Sequence, residues 1–150
     1  MNRMEEEFVP YELAVRLKAI GFSSPYSIGG YQGGAVFYYE NGKLYYDGRP
    51  LHSSDYHEGQ IDAPTFQQAF SWFRKEHTMR HNIMDFIDDE TGVEWDYEIA
   101  TIGVDLDENG KYQALVEYSI DDTTRKFKTY EEVQTACLTN LIQIVETKSK

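Results

Sequence analysis

Cysteine, positive charge and long apolar runs are all scarce in this sequence of 150 residues. The single cysteine, Cys137, cannot form an intramolecular disulfide, and it fits a reducing compartment. No stretch approaches the ~20 consecutive apolar residues that a membrane span needs. Residues 1–7 are acidic at their end and lack an apolar core, so we expect no secretory signal and a cytoplasmic protein.

The shortage of cations excludes some partners. Lysine and arginine number 14 against 26 aspartates and glutamates, which gives a formal net charge of −12. Such a surface repels phosphate backbones and anionic lipids, because both kinds of binding depend on cationic side chains. We therefore expect no direct nucleic-acid partner and no membrane partner. A basic protein partner is compatible with this charge.

Apolar content is sufficient for a packed core. Hydrophobic residues make up 41% of the chain, with 12 tyrosines and 8 phenylalanines. At this length such a composition indicates a globular protein that needs no metal or disulfide to fold. No change of composition along the chain suggests a linker, so we expect a single domain over residues 1–150.

Periodicity and capping signals predict three helices. The first begins near Pro10 and ends at Gly21, with Leu13, Ala14 and Leu17 on its apolar side. For the second, Asp62 is the expected cap and Pro64 the start, with an end near His77. The third follows Thr129 and Glu132, which have capping-box spacing, and runs to about residue 146. The apolar stripe predicted for this third helix is Val133, Ala136, Cys137, Leu141 and Ile144.

Between the helices, alternation and turn residues predict strands. Asn41-Gly42 separates two β-rich runs and predicts a tight hairpin over 35–47. Residues 93–106 and 112–120 form two further strands around a turn at 107–110, and 125–128 suggest a short third one. Residues 78–92 have mixed character, with a helical turn suggested around 83–87. The predicted fold is α+β, in the order α-β-β-α-β-β-(β)-α, with a mostly antiparallel sheet and helices packed on it.

An acidic segment at 105–110, Asp-Leu-Asp-Glu-Asn-Gly, matches the first half of a calcium-binding loop. The glutamate expected at the twelfth position is replaced by Val116, and the flanks are predicted strands instead of helices. The interpretation we favour is an acidic β-turn, and weak cation binding stays open.

Histidine, cysteine and glycine residues give little indication of catalysis. His52, His57, His77 and His81 show no convergent ligand or base spacing, although His77 and His81 would share a face if they lay on one helix. Cys137 falls on the apolar side of the third helix and is expected to be buried. The glycine-rich segment 29–34 lacks the lysine of a phosphate-binding loop. We therefore expect no enzyme, no metal and no cofactor, and an enzyme built from His52, His57 or His77 with a carboxylate is the weakest hypothesis.

Two groups of residues are candidates for contact with a protein partner. Aspartates and glutamates cluster at Asp85, Asp88, Asp89 and Glu90, with Asp96 and Glu98 close in sequence. Tyrosines cluster in the predicted hairpin. The candidate contact residues are Tyr38, Tyr45, Tyr46, Asp88, Asp89 and Glu90.

Three blocks of sequence resemble a known family. They are FVPYELAVRLKAIGF at 8–22, AP and QAFSWFRK at 63–64 and 68–75, and the segments at 130–132, 136–138 and 141–142. These blocks are similar to small uncharacterised proteins of Bacteroidetes-type bacteria, their phages and their mobile elements. The resemblance implies a cytoplasmic accessory protein, and it carries no catalytic residue.

Together these features favour a non-enzymatic protein that binds another protein through an acidic, tyrosine-rich surface. The most specific version of this hypothesis is that the chain is a phage or mobile-element protein that inhibits a host protein that binds nucleic acid. The alternative is a protein that binds or sequesters a nucleotide-like ligand with the 29–34 segment and the tyrosine-rich hairpin. A homodimer also stays open, since tyrosine-rich strands suit either kind of interface.

Overall fold

The computed structural model describes residues 7–22, 35–38, 42–47, 61–121 and 127–148. In chain order the elements are α1 (Tyr11–Ala19), β1 (Ala35–Tyr38), β2 (Leu44–Asp47), β3 (Ile61–Asp62), α2 (Phe66–His77), β4 (Met79–Asp88), β5 (Gly92–Leu106), β6 (Tyr112–Asp121) and α3 (Tyr130–Lys148). The described strand pairs are all antiparallel. The fold is therefore α+β, as the sequence predicts.

The chain divides into two compact units. The first contains Met1–Ala69 and Val145–Lys150, and the second contains Phe70–Ile144. Their boundaries fall within α2 and within α3, so each of these helices has residues in both units. A single domain over 1–150 stays a prediction.

Helix α1 begins and ends as its sequence predicts. Pro10 occupies the N-cap position, and Gly21 has a φ of 101°, which few residues other than glycine adopt easily. Gly21 N–H donates to the carbonyl of Lys18, and Phe22 N–H donates to that of Leu17. This pair of bonds is a Schellman motif, and it satisfies carbonyls that the helix end would otherwise leave without donors. Both Leu17 and Phe22 are buried.

The first unit holds a small sheet in the order β2-β1-β3. β1 and β2 pair over their full length, which confirms the predicted hairpin, and Gly42 has a φ of 81° in the connection. Asn41 lies outside the described residues. Ahead of α1, Val9 N–H donates to the carbonyl of Pro64 at 2.9 Å, while the guanidinium of Arg16 makes two bonds to the carboxylate of Glu146.

Helix α2 starts later than predicted. The expected cap was Asp62 with a start at Pro64, but Asp62 pairs in β3 and the helix begins at Phe66. Thr65 is the cap: its Oγ1 accepts from Gln68 N–H at 3.1 Å, and its own N–H donates to Gln68 Oε1 at 2.9 Å. This reciprocal pair is a capping box, and it satisfies more orphan donors than Asp62 alone would.

The largest correction concerns residues 78–92, where a helical turn was expected around 83–87. These positions lie in β4, a strand of ten residues that pairs with β5 without a break in register. Thr78 separates this strand from α2 and has a φ of 52°, a left-handed conformation that ends the helix. His77 is therefore the last residue of α2, as predicted, and His81 belongs to a strand.

The second unit holds a larger sheet in the order β4-β5-β6. β5 is its centre, and a register shift between Thr101 and Ile102 marks a bulge. The short strand expected at 125–128 is reduced to a single bridge between Phe127 and Trp95, and residues 122–126 lie outside the described part of the chain.

Helix α3 begins at the predicted capping residues. Thr129 Oγ1 accepts from Glu132 N–H, and the Glu132 carboxylate accepts from Lys128 N–H, one residue earlier than in the usual capping box. The buried stripe differs from the one predicted, since Ala136 and Ile144 are only half-buried. Its buried members are Val133, Cys137, Leu138, Leu141, Ile142 and Val145.

Gly21→Ala tests the helix stop. A Cβ at this position would meet no atom within 4 Å, so the cost comes from the positive φ alone. We expect a loss of about 1 kcal/mol in the free energy of unfolding, and a smaller loss for Gly21→Asn, because asparagine tolerates this conformation better. Urea denaturation followed by circular dichroism measures both. Equal stability of Gly21→Ala and the wild type would contradict the role of Gly21.

Candidate functional site

The predicted acidic contact residues come together in the turn between β4 and β5. Asp88 ends β4 and lies opposite Gly92, so residues 89–91 form the connection. Asp89 and Glu90 are exposed, whereas Asp88 is half-buried. Two of the three acidic residues therefore offer their carboxylates to solvent.

The side chain of Asp88 stabilises this turn. Its Oδ1 accepts hydrogen bonds from Glu90 N–H at 2.8 Å and from Thr91 N–H at 3.2 Å. An aspartate that bonds backbone N–H groups two and three residues ahead stabilises a turn. Gly92 completes it with a φ of 87°. Asp88 thus positions Asp89 and Glu90.

Apolar side chains flank the acidic turn. Ile87 is 81% exposed and Val93 52%, and the register places them directly opposite each other. Opposite residues lie on the same face of a sheet, so these two form one apolar surface. Phe86, on the other face, is 37% exposed. We use "hairpin tip" for Ile87, Asp88, Asp89, Glu90 and Val93.

A buried carboxylate lies next to the tip. Glu94 is 3% exposed, and its Oε1 accepts from Thr91 Oγ1 at 2.6 Å and from Lys128 Nζ at 3.2 Å. Thr91 belongs to the tip's turn, and Lys128 precedes α3. Because burying a carboxylate is costly without such partners, Glu94 connects the turn, β5 and the start of α3.

Aromatic contacts hold α3 against β5. The rings of Trp95 and Tyr130 meet edge to face at 5.3 Å, and Trp95 exchanges two backbone hydrogen bonds of 2.8 Å with Phe127. Further along, Asn140 Nδ2 donates to the hydroxyl of Tyr97 at 3.0 Å. The tip therefore extends from the part of β5 that α3 contacts, at Trp95 and Tyr97.

Asp96 and Glu98 do not belong to the exposed acidic surface. Asp96 is 8% exposed, and its Oδ1 accepts from Tyr97 N–H, while Glu98 Oε1 accepts from Asn82 Nδ2. Asp96 and Glu98 are close in sequence to the acidic cluster, but β5 runs away from the tip and carries them to other surroundings. Asp85 is exposed on β4.

The predicted tyrosines belong to the other unit. Tyr38 lies on β1 opposite Leu44, and on β2 Tyr45 lies opposite Phe37 and Tyr46 opposite Val36. Consecutive residues of a strand occupy opposite faces, so positions 45 and 46 cannot share one face of this sheet. The role of these tyrosines in partner binding stays a prediction.

The histidines that the structure describes have separate surroundings. His81 stacks on Phe70 with ring centroids 3.8 Å apart and an angle of 15°, and His77 lies beside Trp72. Burial, with a smaller effect of Arg74, lowers the pKa of His81 to about 4. His77 ends a helix and His81 is on a strand, so they do not share a helical face. His52 and His57 lie outside the described residues.

Two other motifs are structural. Cys137 is buried, as predicted, and burial raises the pKa of its thiol to about 12. The acidic turn after β5 forms as predicted: Asp107 Oδ1 accepts from the N–H groups of Asn109 and Lys111, and Gly110 has a φ of 76°. Among the described residues, no group of three or more His, Cys, Asp or Glu side chains is placed to hold a metal ion.

A surface depression of about 570 Å³ lies beside α3 in the second unit. Phe127, Glu131, Glu132, Thr135 and Ala136 line it. Glu132 is already engaged in capping the helix, and only Glu131 and Thr135 add polar groups. This set is too small to indicate a ligand class.

Comparisons with known proteins give no assignment. No family model, no curated protein and no solved structure matches the chain. The resemblance to small Bacteroidetes and phage proteins therefore stays a prediction. No helix in the described part of the chain is long and apolar enough to cross a membrane.

Sequence reasoning found the acidic residues of the tip but missed its apolar ones. Ile87 and Val93 were assigned to a segment of mixed character and to the start of a strand. The available signal was the Asp89-Glu90-Thr91-Gly92 turn between two β-branched residues, which is typical of a hairpin whose ends lie opposite each other.

Lys128→Ala tests the ion pair between the exposed Lys128 and the buried Glu94. Removing the ammonium leaves the buried Glu94 carboxylate with one fewer partner, so we expect a loss of about 1–3 kcal/mol in the free energy of unfolding. The control is Lys111→Ala, an exposed position in the β5–β6 turn, which should change stability by less than about 0.5 kcal/mol. If the two variants lose equal stability in urea denaturation, Glu94 does not depend on Lys128.

His81 predicts a pH dependence of stability. Its pKa is about 4 in the folded state against an ordinary 6.5, so the unfolded chain binds the proton more tightly. The stabilisation is complete above pH 6.5 and is lost as the pH falls from 6.5 towards 4. Between pH 7.5 and pH 5, the wild type should lose about 1 kcal/mol more than His81→Phe, after discounting for partial exposure. Identical pH profiles of the two proteins would refute this role.

Proposed function

We propose that this chain is a non-enzymatic protein-binding protein and that the hairpin tip is its principal contact surface. The observation that carries the proposal is the exposure of Ile87 and Val93 side by side, next to the exposed carboxylates of Asp89 and Glu90. An apolar centre with a polar, charged rim is typical of a surface that another protein covers.

The partner that fits this surface is a protein with an apolar pocket bordered by lysine or arginine. Burial of Ile87 and Val93 supplies affinity, since removing apolar area from water is favourable. Asp89 and Glu90 select a cationic border and, together with the net charge of −12, accelerate the encounter with a basic partner. The same charge disfavours direct binding to nucleic acid or to anionic membranes.

Two finer parts of the proposal rest on the sequence. A cytoplasmic accessory protein of phage or mobile-element origin would gain from an acidic surface if its target is a host protein that binds nucleic acid. Tyr38, Tyr45 and Tyr46 would add a second contact area in the β1–β2 hairpin. The nucleotide-like alternative depends on residues 29–34, which lie outside the described part of the chain.

A matched set of charge variants tests the tip. Asp89→Lys with Glu90→Lys changes the net charge from −12 to −8, and so does the control, Glu76→Lys with Glu108→Lys, at exposed positions away from the tip. Tagged proteins are used to capture partners from lysate of the source organism at low and high salt. We expect the tip variant to recover about tenfold less of the partner, or even less than that. The control should recover as much of it as the wild type does.

A second pair of variants separates apolar from charge effects. Ile87→Thr with Val93→Thr keeps the β-branched shape but removes apolar surface, and Val15→Thr is the control at another exposed position. We expect only the tip pair to weaken capture, and to do so at both salt concentrations. If all variants capture the same proteins equally, the tip is not the contact surface.

A further inference from the structure

The sheet face that carries Ile87 and Val93 continues towards the start of α3. Two residues from each of them, Asp85 of β4 lies directly opposite Trp95 of β5. Side chains alternate between the two faces of a strand, so this second pair shares the face of the first. Directly opposite residues have Cβ atoms about 4.5–5.5 Å apart. A carboxylate and an indole ring are therefore neighbours beside the apolar pair.

The carboxylate of Asp85 is available to a cation from another protein. The residue is exposed, and among the described residues its carboxylate has no ion-pair or hydrogen-bond partner. Glu94, by contrast, is buried and pairs with Lys128. The negative charge on this face is thus left without a described cation to neutralise it.

The ring of Trp95 adds a second attraction for a cation. Trp95 is half-buried, and its indole meets the ring of Tyr130 at an angle of 73° with centroids 5.3 Å apart. A single edge-to-face contact covers at most one of the two faces of the indole, and Tyr130 is itself 42% exposed. The face of an aromatic ring attracts cations through its quadrupole.

We infer that Asp85 and Trp95 form a subsite for an arginine side chain of the partner protein, an inference that rests on the proposed function. The planar guanidinium stacks on an aromatic ring while its N–H groups donate two parallel hydrogen bonds to a carboxylate. The lysine ammonium is a compact, strongly hydrated charge and cannot make both contacts in this way. The subsite therefore distinguishes two cations that the net charge attracts equally.

The spacing along β4 places an apolar residue of the partner next to this arginine. Asp85 and Ile87 are two residues apart on one strand, a distance of roughly 6.6 Å. An extended partner segment covers the same distance in two residues, so an arginine at the subsite brings a residue two positions away to Ile87 and Val93. The segment that fits therefore contains an arginine and an apolar residue separated by one residue.

An NMR titration tests the subsite with two matched peptides, acetyl-Leu-Thr-Arg-Thr-Leu-amide and the same peptide with lysine in place of arginine. The chain contains two tryptophans, so Trp72 on α2 is an internal control. We expect the arginine peptide to shift the indole N–H resonance of Trp95 and not that of Trp72. It should also bind about threefold or more tightly than the lysine peptide.

A charge-matched pair of variants isolates the carboxylate. Asp85→Asn and Glu76→Gln each change the net charge from −12 to −11, and both positions are exposed. We expect Asp85→Asn to weaken binding of the arginine peptide about fivefold or more and Glu76→Gln to leave it unchanged. Equal affinity for the two peptides, equal affinity of the two variants or an unmoved Trp95 resonance would overturn the inference.

Capture from lysate separates this inference from the proposed function, because the titration uses no partner protein. Asp85→Asn should recover about fivefold less of the partner than the wild type does. If it recovers as much while Asp89→Lys with Glu90→Lys loses the partner, the arginine subsite is wrong and the hairpin tip stands. If every variant of the hairpin tip retains the partner, the proposed function is wrong whatever the titration shows.

Discussion

Strand β5 is the element on which the second unit depends. It pairs with β4 and β6 on its two sides and continues past the end of β6 through the bridge between Trp95 and Phe127. The start of α3 contacts it through the ring of Tyr130, and Asn140 reaches the hydroxyl of Tyr97. The buried Glu94 joins β5 to the turn through Thr91 and to the segment before α3 through Lys128. The buried carboxylate of Glu94 is tolerated here because its Oε1 has partners from two separate segments, the turn and the residues before α3.

The exposed features of β4 follow from this support. Because β5 pairs with β4 and is itself contacted by α3, the turn can present apolar and acidic side chains together. Asp88 bonds the turn's backbone and so fixes where Asp89 and Glu90 project. The apolar pair Ile87 and Val93 is costly to leave in water, which is the physical reason to expect that another protein covers it.

Local signals in the sequence predicted much of the fold. Gly21 ends α1, Thr129 and Glu132 start α3, and the β1–β2 hairpin and the turn at 107–110 form as expected, because each depends on residues close in sequence. Prediction failed at β4, whose residues 79–88 lack a clear period, and the strand forms because β5 supplies ten pairing partners. The apolar stripe of α3 was also placed incorrectly, since Leu138 and Ile142 are buried and Ala136 is not.

The sequence by itself determined the α+β class, both ends of α1, the start of α3, the turn at 107–110 and the net negative charge, since backbone capping, glycine conformation and net charge are local or additive properties. Only the tertiary structure decided which of these charges reach solvent. Asp96 is buried in β5 while Asp89 and Glu90 are exposed at a turn, although they are close in sequence. It also decided that Ile87 lies opposite Val93. Burial and strand order arise from pairing between distant segments, which no short window of sequence contains.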